Sequence, residues 1–178
     1  MFIALSSYAG WALVIDLLWS YEPEESMQRV VILGRGGSGK SILAQQLSKK
    51  LALPVIELDS IFWQPDLRPA PEPEWTEIQR ELVARDCWII DGDLGPYDTG
   101  LALRLRAADT IIVLDFPLWR CGWQAVRRSR ETREFWIWVF RYRRDSLPAI
   151  NQSIAAHAPH ATVHMLHNPR QVRQFLGD

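Results

Sequence analysis

The chain has 178 residues, of which 48% are hydrophobic and 23% charged, a composition typical of one globular domain. Its 20 basic and 21 acidic side chains nearly cancel, which excludes a uniformly basic nucleic-acid-binding protein and an acidic disordered chain. Two cysteines are too few for a disulfide framework or a cysteine-rich zinc site, so we expect a reducing, cytoplasmic location.

The first 26 residues differ from the rest of the chain. Residues 2–19 form a mostly apolar run interrupted by Asp16, which fits either a membrane anchor or a translated stretch upstream of the true start. The charge inside the run opposes membrane insertion, and no Lys or Arg precedes it as in a signal peptide. We therefore expect the protein to begin at Met27, residues 27–178 to form the folded domain, and no membrane partner.

After residue 28, short apolar runs rich in β-branched residues alternate with helical patterns. The predicted strands are Val30–Leu33, Val55–Leu58, Cys87–Ile90, Ile111–Leu114 and Thr162–Leu166. Helices are predicted after the first strand, over about Glu74–Arg85, Leu118–Arg144 and Ser146–Ala156, and from Pro169 onward. This alternation predicts a three-layer α/β fold, with a five-stranded parallel sheet and helices on both faces. Ligands of such sheets bind at the carboxyl ends of the strands.

One segment carries a specific chemical signal. Residues 34–41 match G-x-x-x-x-G-K-[ST] at every position, between a predicted strand and a predicted helix. The glycines let backbone N–H groups surround a phosphate, Lys40 places a charge on the β- and γ-phosphates, and the Ser41 hydroxyl is a ligand for Mg²⁺. The pattern predicts binding of a nucleoside triphosphate together with Mg²⁺. The predicted binding residues are Gly34, Gly36, Gly37, Ser38, Gly39, Lys40, Ser41 and Ile42.

Two acids end predicted apolar strands, and either suits the position that holds the waters of Mg²⁺. Asp91 ends the third strand and Asp115 ends the fourth. We favour Asp91 as the second metal residue beside Ser41, because Gly92 opens the backbone next to it. The alternative for Asp91 is a turn-capping carboxylate with no part in chemistry.

From Arg29 onward the chain resembles the adenylate-kinase-like group of P-loop proteins, and within it the topology-modulation or FlaR-like proteins. The resemblance rests on the P-loop and on residues 53–59, 63–65, 88–92, 108–117 and 168–170. It implies a five-stranded parallel sheet with a lid, binding of ATP, and kinase activity on an undefined acceptor. In true adenylate kinases the Asp-Gly of strand three continues as Phe-Pro-Arg, whereas here residues 93–96 are Asp-Leu-Gly-Pro and the next Arg is Arg104. This departure speaks against a nucleoside monophosphate acceptor.

The resemblance places the lid at about residues 118–145, which hold eight arginines. It implies that Arg127, Arg128 and Arg130 close over the γ-phosphate, where negative charge spreads during transfer. The alternatives are a solvated helix face and a patch for a DNA backbone. The tryptophans at 119, 123, 136 and 138 have helical spacing, which favours core packing over base stacking.

Asp59, just beyond the second strand, is the predicted acceptor-side residue, which takes or orients the proton of an acceptor hydroxyl. Its alternative is an N-cap for the turn formed by residues 60–63. Trp63 either lines the acceptor pocket or packs on the proline-rich loop that follows it, which contains Pro65, Pro69, Pro71 and Pro73. The resemblance also implies that Asn168 and Arg170 touch the adenine ring. The histidines at 157, 160, 164 and 167 suit structural or surface roles, since a loop and an alternating strand do not align them for a metal.

Two functions of different classes fit these patterns. The first is a phosphotransferase that moves the γ-phosphate of ATP to a small-molecule or nucleotide acceptor. The second is a nucleotide-dependent regulatory NTPase that acts on DNA topology or gene expression. Outside the predicted lid at about residues 118–145, acidic side chains outnumber basic ones, which disfavours a nucleic-acid partner. We expect ATP and an acceptor as partners, and a monomer or homodimer.

Overall fold

The computed structural model describes residues 27–63, 68–122 and 133–177, which form an α/β domain around one parallel sheet. Its strands are β1 (Arg29–Gly34), β2 (Val55–Glu57), β3 (Trp88–Asp91), β4 (Thr110–Leu114) and β5 (Thr162–Leu166). Their order in the sheet is β2-β3-β1-β4-β5, and every neighbouring pair is parallel. The five-stranded parallel α/β prediction is therefore confirmed.

Helices connect the strands and cover the two faces of the sheet. They are α1 (Lys40–Leu51), α2 (Leu58–Phe62), α3 (Glu72–Val83), α4 (Leu101–Ala107), α5 (Arg133–His157) and α6 (Pro169–Leu176), with a 3₁₀ turn over Gly95–Tyr97. Residues 118–122 are also helical. No helix within the described ranges combines the length and the apolar character that a membrane crossing needs.

Two predicted boundaries are wrong. The second strand ends at Glu57, and the residues predicted to continue it and to follow it as a loop belong to the one-and-a-half-turn helix α2. The separate helices predicted around residue 145 are a single helix, α5, which contains Pro148. A proline inside a helix removes one backbone hydrogen bond. Pro148 lies on the exposed side of α5, where water can satisfy the carbonyl that loses its partner, while Ile150 and Ile154 keep the helix on the core.

Alternate residues of β1 divide the core between the two faces of the sheet. Val31 and Leu33 pack on one face with α3, α4 and α5, in a cluster that contains the fully buried Trp75 and Tyr142. Val30 and Ile32 pack on the other face against α1 and α6. Since β1 lies at the centre of the sheet, the loop that follows it emerges between the two helical layers, at the carboxyl edge.

Candidate functional site

The P-loop joins β1 to α1 in a tight turn. Gly37 and Gly39 have φ angles of 75° and 93°, a left-handed conformation that side chains with a Cβ rarely adopt. The amide of Ser38 donates to the carbonyl of Arg35 at 3.1 Å. Gly39 caps α1 without a side-chain hydrogen bond, so the first N–H groups of that helix remain available for an anion. The loop thus has the backbone geometry of a phosphate site.

Lys40 begins α1 and turns back over the loop. Its Nζ donates to the carbonyl oxygens of Gly34 at 2.7 Å and Arg35 at 3.3 Å. The ammonium is held at the mouth of the loop, where a phosphate could replace the two carbonyls as its partner. Ser41 is half-buried in the same first turn, whereas 54% of the Ile42 side chain is exposed.

Two strands bring acids to the carboxyl edge of the sheet, where Lys40 also lies. Asp91 ends β3 and is 4% exposed, and its Oδ1 has no hydrogen-bond partner among the described residues. Asp59 lies in α2, directly beyond β2, at the same edge of the sheet. Asp59 is exposed to solvent, yet desolvation by neighbouring groups raises the pKa of its carboxyl. The charge of Lys40 opposes this rise and the charge of Asp91 adds to it. Because β3 pairs with β1 on one side and with β2 on the other, Lys40, Asp91 and Asp59 lie at one edge of the sheet.

Asp59 does not cap a helix. The cap of α2 is Glu57, and the Ser60 hydroxyl donates to the Glu57 carbonyl at 2.7 Å, so the capping alternative is wrong. The indole N–H of Trp63 donates to the Asp59 carboxylate. Trp63 also forms a backbone bridge with Pro69 and an edge contact with the Tyr97 ring at 5.6 Å. Trp63 therefore packs on the proline-rich loop and also contacts the Asp59 carboxylate.

A further acid belongs to this site and is missed by the sequence analysis. Asp93 is 8% exposed; its Oδ1 accepts from the Gly95 amide at 3.0 Å and its Oδ2 from the Tyr142 hydroxyl at 3.2 Å. Burial raises its pKa, and the charge of Lys40 opposes this. The second acid of the Asp-Gly-Asp segment (residues 91–93) was a sequence signal for this residue. Its burial could not be predicted, because its partner Tyr142 lies 49 residues away in the chain.

Arg35 is the second residue that the sequence analysis missed. Its side chain is 2% exposed beneath the P-loop, and the guanidinium lies 5.4 Å from the centre of the Tyr142 ring. Its Nε and Nη1 find no hydrogen-bond partner within the described part of the chain. Burial lowers the pKa of Arg35. The sequence places Arg35 at a variable position of the P-loop motif, which gives no reason to expect a buried cation.

Asp115, the competing metal candidate, is engaged elsewhere. Arg143 donates through Nε to Asp115 Oδ1 at 2.7 Å and through Nη2 to its carbonyl at 3.2 Å. His167 Nδ1 lies 3.4 Å from the other carboxylate oxygen. Because both Asp115 oxygens have partners, the unpartnered Asp91 Oδ1 is the better candidate for the waters of a metal.

The remaining predicted residues fall into three groups. Arg127, Arg128 and Arg130, with Trp123, lie outside the described residues. Asn168 accepts the Gln171 amide at 3.0 Å as the N-cap of α6, and Arg170 is exposed on that helix. Trp138 packs against the core, as predicted, whereas 74% of Trp119 is exposed, so core packing is wrong for that tryptophan.

The predicted cofactors can be tested against these donors. Mg²⁺ is commonly held by a hydroxyl, one or two carboxylates, waters and the phosphates of its substrate rather than by an all-protein cage. The Ser41 hydroxyl, the unpartnered Asp91 oxygen and the uncapped helix N-terminus fit a metal-bound phosphate. Among the described residues, no group of three or more His, Cys, Asp or Glu is placed to hold a metal. A Mg²⁺ ion that takes most of its ligands from phosphates and waters does not need such a group.

Comparisons with known proteins show the fold. The chain has a TM-score of 0.60 with a shikimate kinase from Acinetobacter baumannii in complex with shikimate, at 15% identity over 86% of this chain and 90% of that one. It has a TM-score of 0.56 with the YorR protein of Bacillus subtilis in complex with phosphorylated GDP, at 16% identity over 84% and 91%. With a gluconokinase from Sinorhizobium meliloti 1021 the TM-score is 0.52, at 12% identity over 85% of this chain and 89% of that one.

The chain therefore has a P-loop kinase-like fold. No protein-family model matches it, and no curated protein matches it. The resemblance to the topology-modulation group is not confirmed by these comparisons.

Proposed function

We propose that the protein is an ATP-dependent phosphotransferase that moves the γ-phosphate of ATP to a small-molecule or nucleotide acceptor. The observation that supports this most directly is the placement of Lys40, Asp91 and Asp59 at the carboxyl edge of the sheet. Lys40 lies over the loop after β1, Asp91 ends the neighbouring β3, and Asp59 follows β2, which pairs with β3. A phosphate-binding lysine, a free buried carboxylate oxygen and a solvent-accessible carboxylate in one cleft supply the three elements of phosphoryl transfer: phosphate binding, metal support and acceptor orientation.

On the nucleotide side, the amides of residues 34–42 surround the phosphates and Lys40 exchanges its loop carbonyls for them. Ser41 and Asp91 would hold Mg²⁺, and the bound metal would supply positive charge against the phosphate oxygens. Asn168 and Arg170 border the adenine ring. Arg127, Arg128 and Arg130, assigned from the resemblance alone, stabilise the charge of the transferring phosphoryl group.

On the acceptor side, the Asp59 carboxylate accepts the proton of the attacking hydroxyl. The bond from the acceptor oxygen to the γ-phosphorus forms as the bond from that phosphorus to the β,γ-bridging oxygen breaks, and ADP leaves. The raised pKa of Asp59 strengthens it as a base relative to an ordinary aspartate, and the indole N–H of Trp63 holds its orientation.

The test is ADP release from Mg-ATP by the full chain, with and without a panel of sugars, cyclitols, nucleosides and nucleoside monophosphates. We expect acceptor-stimulated turnover that falls by about 10²-fold or more in Lys40→Ala and in Asp59→Asn. The matched controls are Lys49→Ala, an exposed lysine of the same helix, and Glu77→Gln, an exposed carboxylate on α3. Both controls should retain wild-type turnover.

Slow hydrolysis that no acceptor stimulates would contradict the phosphotransferase proposal. Together with DNA binding that weakens steeply with salt, it would favour the nucleotide-dependent regulatory NTPase. Turnover that survives Lys40→Ala would exclude the P-loop as the site of chemistry.

A further inference from the structure

A cavity of about 660 Å³ lies between α5 and the segment that runs from Asp93 to the first turn of α4. Its volume is within the range of small-molecule binding sites. Its polar lining residues are Asp93, Asp98, Thr99, Arg141, Asp145, Ser146 and Ser153. The apolar lining includes Trp138, Leu101 and Ile150. A cavity with this mixture suits a ligand that has both polar groups and an apolar face.

Asp98, one of the lining residues, carries an unsatisfied hydrogen-bond acceptor. Its side chain is 6% exposed, and its Oδ2 pairs with Nη2 of the fully buried Arg104 at 2.5 Å. Its Oδ1 has no partner within the described part of the chain. A buried carboxylate oxygen without a donor loses free energy relative to water, and a hydroxyl or N–H group of a ligand would restore the missing hydrogen bond.

The charges around the cavity disfavour an anion. Asp93, Asp98 and Asp145 all line it, and the one cation among its described lining residues is Arg141. Arg141 is already paired with Asp145, through Nε to Oδ2 at 2.8 Å, and its side chain is 55% exposed at the rim. A phosphate or carboxylate would therefore meet carboxyl groups without gaining a free positive partner.

The cavity borders the proposed reaction centre at its inner end. Trp138 lines it and also lies against the P-loop, where a Cβ on Gly36 would be 3.1 Å from Cζ3 of its ring. Gly95, in the same wall, belongs to the 3₁₀ turn whose Tyr97 ring contacts Trp63, the residue that holds Asp59. The cavity therefore adjoins the P-loop and the loop that follows β3.

We propose that this cavity binds the phosphoryl acceptor, and that the acceptor is an uncharged molecule with several hydroxyl groups and one apolar face. Its hydroxyls donate to Asp98 Oδ1 and to the lining serines, and its apolar face packs on Trp138. This inference rests on the proposed function and narrows it: neutral sugars, cyclitols and nucleosides fit, whereas their phosphates and uronic acids do not.

Binding is measured with full-length Lys40→Ala protein, so that transfer cannot consume the ligand. Calorimetry and ligand-observed NMR compare hexoses, cyclitols and ribonucleosides with their matched anions, namely uronic acids, cyclitol monophosphates and nucleoside monophosphates. We expect at least one neutral compound to bind about tenfold or more tightly than its own anion. Equal or tighter binding of the anions, or binding of no neutral compound, would overturn the proposal.

Variants locate the binding to the cavity. Ala149 lines it from an exposed position on α5, so Ala149→Trp should fill it without disturbing the core and weaken neutral-ligand binding by about tenfold or more. Asp98→Asn should reduce the discrimination against the anion, and Glu77→Gln on α3 should change neither quantity. Ligand binding that Ala149→Trp leaves unchanged would overturn the cavity assignment.

The two proposals fail in different ways. If Ala149→Trp leaves acceptor-stimulated ADP release intact, the cavity assignment falls while the phosphotransferase function stands. If neutral ligands bind in an Ala149-dependent manner but no compound stimulates ADP release in the wild type, the phosphotransferase function falls and the cavity remains a binding site.

Discussion

Tyr142, from the middle of α5, donates its hydroxyl to Oδ2 of Asp93 at 3.2 Å, and so connects this helix to the loop that follows β3. The tyrosine is fully buried, and the Arg35 guanidinium lies over its ring. Desolvation and the charge of Asp93 raise the pKa of Tyr142, so the hydroxyl remains a donor at neutral pH. One side chain thus connects the P-loop cation to a site carboxyl.

Tyr142→Phe removes this bond and leaves a buried carboxylate oxygen without its donor. We expect the free energy of unfolding to fall by about 1–3 kcal/mol, measured by urea denaturation. Tyr97→Phe is the matched control, because 49% of Tyr97 is exposed, and its effect should stay within about 0.5 kcal/mol. Equal effects of the two variants would show that the Asp93 contact contributes nothing specific.

Asp93 should make stability depend on pH. Its pKa in the folded state is raised by burial, so the folded protein holds this proton more tightly than the unfolded chain. The resulting stabilisation is present at low pH and is lost as the pH rises from the ordinary aspartate range through the raised pKa. We expect Asp93→Asn to remove a slope of up to about 1.4 kcal/mol per pH unit from the unfolding free energy. Parallel pH profiles for variant and wild type would contradict this.

Two ion pairs on neighbouring helices differ in burial and should differ in energy. Arg104 is fully buried with Asp98 and also donates to Gln79, whereas the Arg80–Glu77 pair is more than half exposed. Arg104→Met leaves a carboxylate buried without its cation and should cost about 3–5 kcal/mol of unfolding free energy. Arg80→Met should cost less than about 1 kcal/mol. Chemical denaturation of both variants measures the difference, and similar losses would count against a buried, tightly coupled Arg104.

Gly36 allows α5 to pack directly on the P-loop. A Cβ at this position would lie 2.5 Å from Cζ of Phe135 and 3.1 Å from Cζ3 of Trp138. We expect Gly36→Ala to lower the unfolding free energy by about 1–3 kcal/mol through overpacking. In the double variant with Phe135→Ala, the cost of the added methyl should largely disappear, which a double-mutant cycle measures. Additive effects of the two substitutions would show that this contact does not form.

Asp91 and Asp115 should respond differently to loss of charge. Under the proposed function, Asp91→Asn weakens support for the metal and should raise the Mg²⁺ concentration needed for half-maximal turnover by about 10–100-fold. Asp115→Asn instead disrupts the pair with Arg143 and should lower stability while leaving the Mg²⁺ requirement unchanged. The measurement is a Mg²⁺ titration of ADP release. If only Asp115→Asn raised the Mg²⁺ concentration for half-maximal turnover, Asp115 and not Asp91 would be the residue that supports the metal.

Local patterns were sufficient to predict most of the fold. All five predicted strands lie within one residue of the observed boundaries at each end, and α6 begins at Pro169 as predicted. β-branched runs and the proline at a helix start act over a few residues, so they are visible in sequence. The break predicted in α5 failed because burial of Ile150 and Ile154 on the core outweighs the local effect of Pro148.

The sequence by itself determined the phosphate loop, because the spacing of its glycines, Lys40 and Ser41 imposes a backbone conformation that needs no distant partner. Only the tertiary structure decided which acids face that loop. Asp115 is paired with Arg143, whereas Oδ1 of Asp91 has no partner among the described residues. Asp93 is bound by the hydroxyl of Tyr142, 49 residues away in the chain. Burial and pairing of a carboxylate depend on side chains brought together by packing, and local sequence patterns carry no information about those contacts.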